Sequence, residues 1–134
     1  MKLSETERVR AWRDSKKKKC PKCKKRTVAY DTIACRSCHA EIKREKALSR
    51  TVSELKKESG SLRWTDHVRY FSRKMYSFDK CCVCGYDKHV EVAHKKAICE
   101  FPDTATIQEI NAEDNVLGLC PNHHWEFDNG ILHL

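Results

Sequence analysis

Closely spaced pairs of metal-binding residues constrain the fold of this chain more than any other feature of its sequence. The pairs are Cys20-x-x-Cys23, Cys35-x-x-Cys38, Cys81-x-x-Cys84 and Cys120-x-x-His123. This spacing is typical of tetrahedral zinc sites, which stabilise domains that have little apolar core of their own. Of the 134 residues, 40% are hydrophobic and 8% are aromatic. The sequence therefore predicts small α+β modules, each built around a structural zinc ion.

A secreted disulfide scaffold is the main alternative for a small chain with nine cysteines. The first 25 residues are charged throughout and contain no apolar run, so we expect no signal peptide. No segment approaches the roughly 18 consecutive apolar residues of a membrane-spanning helix, and no membrane partner is expected. We expect a soluble protein in a reducing intracellular compartment, such as the cytoplasm, an organelle or a phage- or virus-infected cell.

Charge is divided unevenly along the chain. Residues 1–80 contain 24 Lys and Arg against 10 Asp and Glu, a formal charge of +14, whereas residues 81–134 contain 3 against 9, a formal charge of −6. A basic region joined to an acidic region with metal ligands predicts polyanion binding in the first and chemistry in the second. The densest basic run, for which we expect contact with nucleic-acid phosphates, comprises Lys16, Lys17, Lys18 and Lys19.

The first of three predicted segments, residues 1–45, is a basic N-terminal module with one zinc site. Ser4 and Glu7 form a capping box that predicts a helix ahead of the cysteines. Between the cysteine pairs, the strand-like run Thr27–Tyr30 indicates a zinc ribbon or a treble-clef-like pair of knuckles. His39 could replace the last cysteine as a ligand. The predicted zinc ligands are Cys20, Cys23, Cys35 and Cys38.

Residues 46–79 are predicted to form a helical connector with a basic face. A second capping box, Thr51 and Glu54, starts one helix, which Gly60 is suited to end. Arg69 and Arg73 lie on the polar face of a further helix and are interpreted as phosphate contacts, the alternative being a merely solvated face. This helix is predicted from Leu62 to about Phe78 by apolar residues at helical spacing: Trp64, Val68, Phe71, Met75 and Phe78.

The third segment, residues 80–134, contains the second zinc site. His124 could take the place of His123 in this site because it also lies about one helical turn after Cys120. The spare Cys82 and Cys99 are interpreted as small buried thiols, and Trp125 as a core residue. The predicted zinc ligands are Cys81, Cys84, Cys120 and His123.

Two short strands and a helix are predicted around this second site. Val90–His94 alternates like a strand, and Val116–Leu119 is a second, apolar strand. Between them, residues 95–114 form a loop with a helical turn near Thr106–Ile110. His124 and Asp128 project from one face of the following helix because they are four residues apart. Such a pair can hold a divalent cation and leave coordination positions open.

These motifs resemble those of the HNH endonucleases, the zinc-stapled ββα-metal nucleases, over roughly residues 80–134. The resemblance implies a ββα-metal nuclease fold, preceded here by helices and the N-terminal zinc ribbon. It implies that His94, at the end of the first strand, is the general base, and that His124 and Asp128 bind the catalytic metal. Ala93 stands where many members of the family carry Asp or His as a further metal ligand.

The third catalytic residue that the resemblance implies is an asparagine. Asn115 matches the position of the family's Asn, which anchors the catalytic loop and helps to orient the base. Asn111 is a weaker candidate because it lies too far from Cys120 to fit the pattern.

The predicted function is that of a metal-dependent HNH endonuclease that hydrolyses DNA phosphodiester bonds by nicking or by double-strand cleavage. Its cofactors would be two structural Zn²⁺ ions and one catalytic Mg²⁺ or Mn²⁺, and its partner double-stranded DNA. The alternative is a non-catalytic, zinc-dependent DNA- or RNA-binding protein, or a subunit of a larger nucleic-acid complex. Zinc binding alone does not require His94, Asn115, His124 and Asp128 together, which favours the enzyme.

Overall fold

The computed structural model describes residues 2–60 and 63–134 and shows a small protein that mixes helices with short strands. The chain divides into two compact units, Met1–Lys46 and Ala47–Leu134. The strands are β1 Lys18–Lys19, β2 Thr27–Val28, β3 Glu91–His94 and β4 Val116–Leu119. The α-helices are α1 Glu5–Ser15, α2 Arg36–Leu48, α3 Val52–Ser59, α4 Trp64–Met75, α5 Ile107–Ile110 and α6 Pro121–Asp128. None of the helices in the described residues is both long and apolar enough to span a membrane.

The first unit is built around its cysteines. α1 begins at the predicted capping box, where the Glu7 amide donates to Ser4 Oγ and the Ser4 amide donates to the Glu7 carboxylate. β1 and β2 pair antiparallel, with Lys19 opposite Thr27. The buried cluster of this unit consists of Cys20, Ala34, Cys35 and Cys38. The cluster contains no large apolar side chain, so apolar burial alone contributes little to the stability of this unit.

A layer of helices forms the main core of the second unit. α3 starts at the capping box of Thr51 and Glu54 and ends at Gly60, whose φ of 76° suits glycine. α4 packs against α3, α5 and the 3₁₀ turn Ile98–Glu100. The chain between β3 and β4 is thereby held against α4. The buried side chains of this core are Leu48, Val52, Leu55, Trp64, Val68, Ile98, Ala105, Ile107 and Ile110.

β3 and β4 form an antiparallel pair, and α6 packs on both strands. In the register, His94 lies opposite Val116. Phe78 packs directly on β4 at Gly118, where an added β-carbon would lie 2.5 Å from the Phe78 β-carbon. A cysteine-rich cluster underlies the strands, made of Cys81, Ala93, Leu119 and Cys120.

The local sequence predictions are largely confirmed. Both early capping boxes, both strands of the second pair and the helical turn after Thr106 are present. α4 ends at Met75 rather than near Phe78 because Phe78 leaves the helix to pack on Gly118. The predicted start of that helix at Leu62 lies outside the described residues.

Three residues that the sequence predicts to be buried are exposed, so these predictions are wrong. Cys82 follows the buried Cys81 in a tight turn whose other sulfur atoms, those of Cys81 and Cys84, belong to one ligand set, and its own side chain is exposed. Cys99 follows the buried Ile98 in a single 3₁₀ turn that faces the surface. Trp125 is 61% exposed because it occupies the outer face of α6.

Candidate active site

The four cysteines of the first unit converge on one point. Their sulfur atoms all lie within 4.8 Å of one another, and Cys23 Sγ is 3.8 Å from Cys35 Sγ. A tetrahedral zinc ion with bonds of about 2.3 Å places its sulfur ligands about 3.8 Å apart. Backbone amides of Cys23 and Cys35 hold the pKa of the buried Cys20 thiol down to about 6. The neighbouring Cys35 thiol and burial raise the pKa of Cys38 to about 12. The four converging sulfur atoms could hold a metal ion, and His39 is not part of the set.

The second set also converges, and it selects one of two adjacent histidines. Its ligand atoms, from Cys81, Cys84, Cys120 and His123, lie within 4.8 Å of one another. His123 Nδ1 is 3.5 Å from Cys81 Sγ and 3.2 Å from Cys120 Sγ. Burial opposes ionisation of Cys81, but amides of Cys120 and Cys84 lower its pKa to about 6. Within residues 2–60 and 63–134, no further group of three such ligands comes this close.

A cleft of about 730 Å³ lies beside this second set, between α4, β3 and α6. The polar side chains that face it come from all three elements and from the chain next to them. They are Thr65, Arg69, Ser72, Arg73, Tyr76, Ser77, His89, Glu91, His94, Cys99, His124 and Asp128.

His94, the last residue of β3, presents a half-buried imidazole to the cleft. Its Nε2 atom lies 2.7 Å from Oδ1 of Asn111, a side chain with no solvent exposure. Burial lowers the pKa of His94 below its ordinary value of 6.5, the hydrogen bond to Asn111 opposes this shift, and the positive charge of Arg69 adds to it. The imidazole is therefore neutral near pH 7 and can accept a proton.

His124, on α6, faces two carboxylates. Its Nδ1 atom is 2.6 Å from Glu91 Oε2, and its Nε2 atom is 3.5 Å from Asp128 Oδ2. The hydrogen bond from His124 lowers the pKa of Glu91, which also accepts from His89 at 3.3 Å. An ionised Glu91 thus fixes the orientation of the His124 ring, and Nε2 points to the Asp128 side of the cleft.

Asn115 fastens the loop that follows His94, and its side-chain hydrogen bonds go to Lys96 and Ile110 rather than to the His94 ring. Its Oδ1 accepts from the Lys96 amide at 2.9 Å, and its Nδ2 donates to the Ile110 carbonyl at 2.8 Å. The Asn115 carbonyl in turn accepts from the Lys95 amide at 2.8 Å. The sequence analysis expected Asn115 both to anchor this loop and to help orient His94. The hydrogen bonds of Asn115 fit the first role, whereas the side chain that hydrogen-bonds to the imidazole is Asn111.

The predicted phosphate-binding residues lie in different places. Arg69 and Arg73 project from one face of α4 into the cleft, and both are exposed. Arg69 is steadied by Thr65 Oγ1 at 3.1 Å and by Asp66 at 3.6 Å. The four residues Lys16–Lys19 belong to the first unit, all are exposed, and the last two form β1.

Sequence reasoning missed Glu91 and set aside Asn111. Glu91 could have been noticed because it is a charged residue at the start of an otherwise apolar strand, three residues before His94. The signal for Asn111 was weaker, because an asparagine after a short helix usually marks a helix end. Their roles depend on contacts across 33 and 17 residues of sequence, respectively.

The comparison with protein families finds a match in the part of the chain that contains this cleft. A family model described as HNH endonuclease matches residues 81–134, the part of the chain that contains the second ligand set, β3, β4 and α6. The match indicates nuclease activity in general. No curated protein and no solved structure matches the chain.

Proposed function

We propose that this protein is a metal-dependent endonuclease of the HNH, or ββα-metal, type that hydrolyses DNA phosphodiester bonds. The observation that carries the proposal is one cleft in which a neutral imidazole, an imidazole–carboxylate pair and two guanidinium groups face the same space. Phosphodiester hydrolysis needs a base for water, a site for a cation and positive charge for the substrate. The base would be His94, the cation site would be formed by His124 and Asp128, and the positive charge would come from the two arginines of α4.

His124 and Asp128 are the proposed ligands of a catalytic Mg²⁺ or Mn²⁺. Two atoms that each lie about 2.1 Å from one ion at a right angle are about 3 Å apart, so the 3.5 Å between His124 Nε2 and Asp128 Oδ2 requires little adjustment. Glu91 accepts from His124 Nδ1 and leaves the lone pair on Nε2, the atom that would bind the ion. A bound divalent cation supplies charge that offsets the negative charge developing on the phosphate and the leaving oxygen.

His94 is the proposed general base. The imidazole removes a proton from a water molecule while the water oxygen bonds to phosphorus and the bond from phosphorus to O3′ breaks. The leaving O3′ takes a proton from solvent, so that the products carry a 5′ phosphate and a 3′ hydroxyl. Burial of His94 suits this role because the lowered pKa keeps the ring neutral near pH 7.

The basic residues are proposed to bind the DNA backbone. Arg69 and Arg73 face the cleft and would hold phosphates next to the scissile bond. The exposed run Lys16–Lys19 would add contacts that do not depend on sequence. We assign the two cysteine-rich sets to structural zinc, because each is closed by four protein ligands and leaves no position for substrate.

A plasmid-cleavage assay tests the proposal. In the presence of Mg²⁺ or Mn²⁺, purified protein should convert supercoiled DNA to nicked or linear DNA. A brief exposure to excess chelator should stop the reaction. His94→Ala should lower the rate by about 10²–10⁴-fold and leave DNA affinity nearly unchanged. His133→Ala is the matched control, since His133 is exposed and lies outside the cleft. Equal cleavage by His94→Ala and the wild type would place the base elsewhere.

A non-catalytic nucleic-acid-binding protein is the second candidate, because Ala93 is fully buried in the cysteine-rich cluster and offers no ligand to the cleft. This candidate predicts DNA or RNA binding with no cleavage at any concentration of Mg²⁺ or Mn²⁺. The same assay, combined with a gel-shift measurement, separates the two functions.

A further inference from the structure

Asn111 is a polar side chain buried in the apolar core of the second unit. Its exposed fraction is 0%, and it follows α5 directly. Burying an amide is unfavourable unless its polar atoms are paired. The Asn111 backbone amide donates to the Ile107 carbonyl, and the Asn111 carbonyl accepts from the Tyr76 hydroxyl at 2.7 Å. The side-chain Nδ2 lies 3.0 Å from the Val68 carbonyl, and Oδ1 lies 2.7 Å from His94 Nε2.

These contacts determine which way round the Asn111 amide lies. The Val68 carbonyl can only accept a hydrogen bond, so the group facing it must be the amide NH₂. The oxygen of the amide must then face His94. Because an amide oxygen can only accept, His94 Nε2 must be the protonated nitrogen, and the lone pair of the neutral ring must be on Nδ1.

We propose that Asn111 is a positioning residue for the catalytic base: it fixes the tautomer and orientation of His94 so that Nδ1 accepts the proton from water. The inference rests on the proposed nuclease function. α4 takes part because Val68 selects the orientation of the amide, and Tyr76, just after α4, holds the Asn111 backbone. α4 would therefore contribute to the proposed chemistry as well as to phosphate binding.

The hydrogen bond also gains strength as the reaction proceeds. When Nδ1 takes up a proton, the ring becomes an imidazolium, and a hydrogen bond from a charged donor is stronger than one from a neutral donor. Asn111 thus stabilises the charged form that burial disfavours. The other charged or titratable groups that act on the His94 ring are Arg69, His124 and Asp128, and none of these donates to or accepts from it in the described residues.

The first test is the tautomer of His94 in the wild-type protein, by long-range ¹H–¹⁵N NMR of the histidine rings above the pKa of His94. The expected spectrum shows a proton on Nε2 and an unprotonated Nδ1. In Asn111→Ala the ring should populate both tautomers. A proton on Nδ1 in the wild type would overturn the proposal, and this measurement does not depend on whether the protein cleaves DNA.

The second test is kinetic. Asn111→Ala should lower kcat by about 10–100-fold, a part of the 10²–10⁴ that a positioned base supplies, with little change in KM. Asn111→Asp should move the acid limb of the pH–rate profile upward, because a carboxylate beside an imidazole raises the pKa of the imidazole. The matched control is Gln108→Ala, because Gln108 is an exposed amide on α5 that lies outside the cleft. This variant should keep both kcat and the position of the acid limb.

The outcomes separate the two proposals. If the wild type cleaves DNA and both Asn111 variants keep its kcat and pH profile, Asn111 is only a core residue. If the wild type does not cleave DNA at all, the proposed function fails. The NMR result would then show only whether Asn111 fixes the ring.

Discussion

Replacing Glu91 by Gln tests the link between His124, the proposed ligand of the catalytic metal, and the strand that carries His94. In the wild type, His124 Nδ1 donates to the ionised Glu91 carboxylate across 2.6 Å, which leaves Nε2 unprotonated on the Asp128 side. A glutamine of the same shape carries no charge, and its NH₂ group can turn towards Nδ1. The ring would then carry its proton on Nε2, the form that cannot bind a metal ion.

The size of the effect follows from this change of tautomer. Removal of such a supporting carboxylate typically lowers metal affinity by about 10–100-fold, which corresponds to about 1.4–2.7 kcal/mol. We expect the upper part of this range. His124 and Asp128 are the two proposed protein ligands, and a weakly held ion depends strongly on each of them. The two cysteine-rich sets do not include Glu91, so the zinc content should stay the same.

The assay is cleavage of supercoiled plasmid as a function of Mg²⁺ or Mn²⁺ concentration. Glu91→Gln should raise the half-maximal metal concentration by about 10–100-fold, with most of the maximal rate recovered at saturating metal. Glu113→Gln is the matched control, because Glu113 is exposed and lies outside the cleft. An unchanged metal dependence in Glu91→Gln would refute the reasoning and reduce Glu91 to a surface partner of two histidines.

Three further predictions rest on the same structure. Two zinc ions should remain per chain after dialysis, as measured by elemental analysis. Cys81→Ser should leave one zinc ion and unfold the second unit, as measured by circular dichroism, because metal binding here contributes to folding. Cleavage should persist as the pH falls to 6.5 and decline below it, because burial lowers the pKa of His94 and the neutral ring is the active form; a decline that begins near pH 8 would contradict this assignment. Replacing Lys16–Lys19 by Gln should weaken DNA binding. The slope of log K against log salt concentration should become shallower by about 0.9 for each phosphate that is no longer neutralised. An unchanged slope would show that the run does not bind DNA.

Local patterns in the sequence were enough to predict much of this protein. Ligands three residues apart, such as Cys20 and Cys23, lie close together in any tight turn, so the pairs of each metal set can be recognised without a fold. Capping boxes such as Thr51 with Glu54 also act within a single turn, and both early ones are present. The candidate base His94 could be selected because its strand and the nearby knuckle are local features.

Only the tertiary structure decided which groups surround that base. Asn111 was set aside because of its distance along the chain from Cys120, yet packing of α5 on α4 places its amide against His94. Glu91 reaches His124 only because α6 packs across β3. Contacts of this kind depend on how whole helices and strands pack together. The spacing of residues along the chain does not determine that packing. Sequence spacing therefore selects the candidate ligands and the candidate base, whereas packing decides the hydrogen-bond partners, the pKa and the orientation of these side chains.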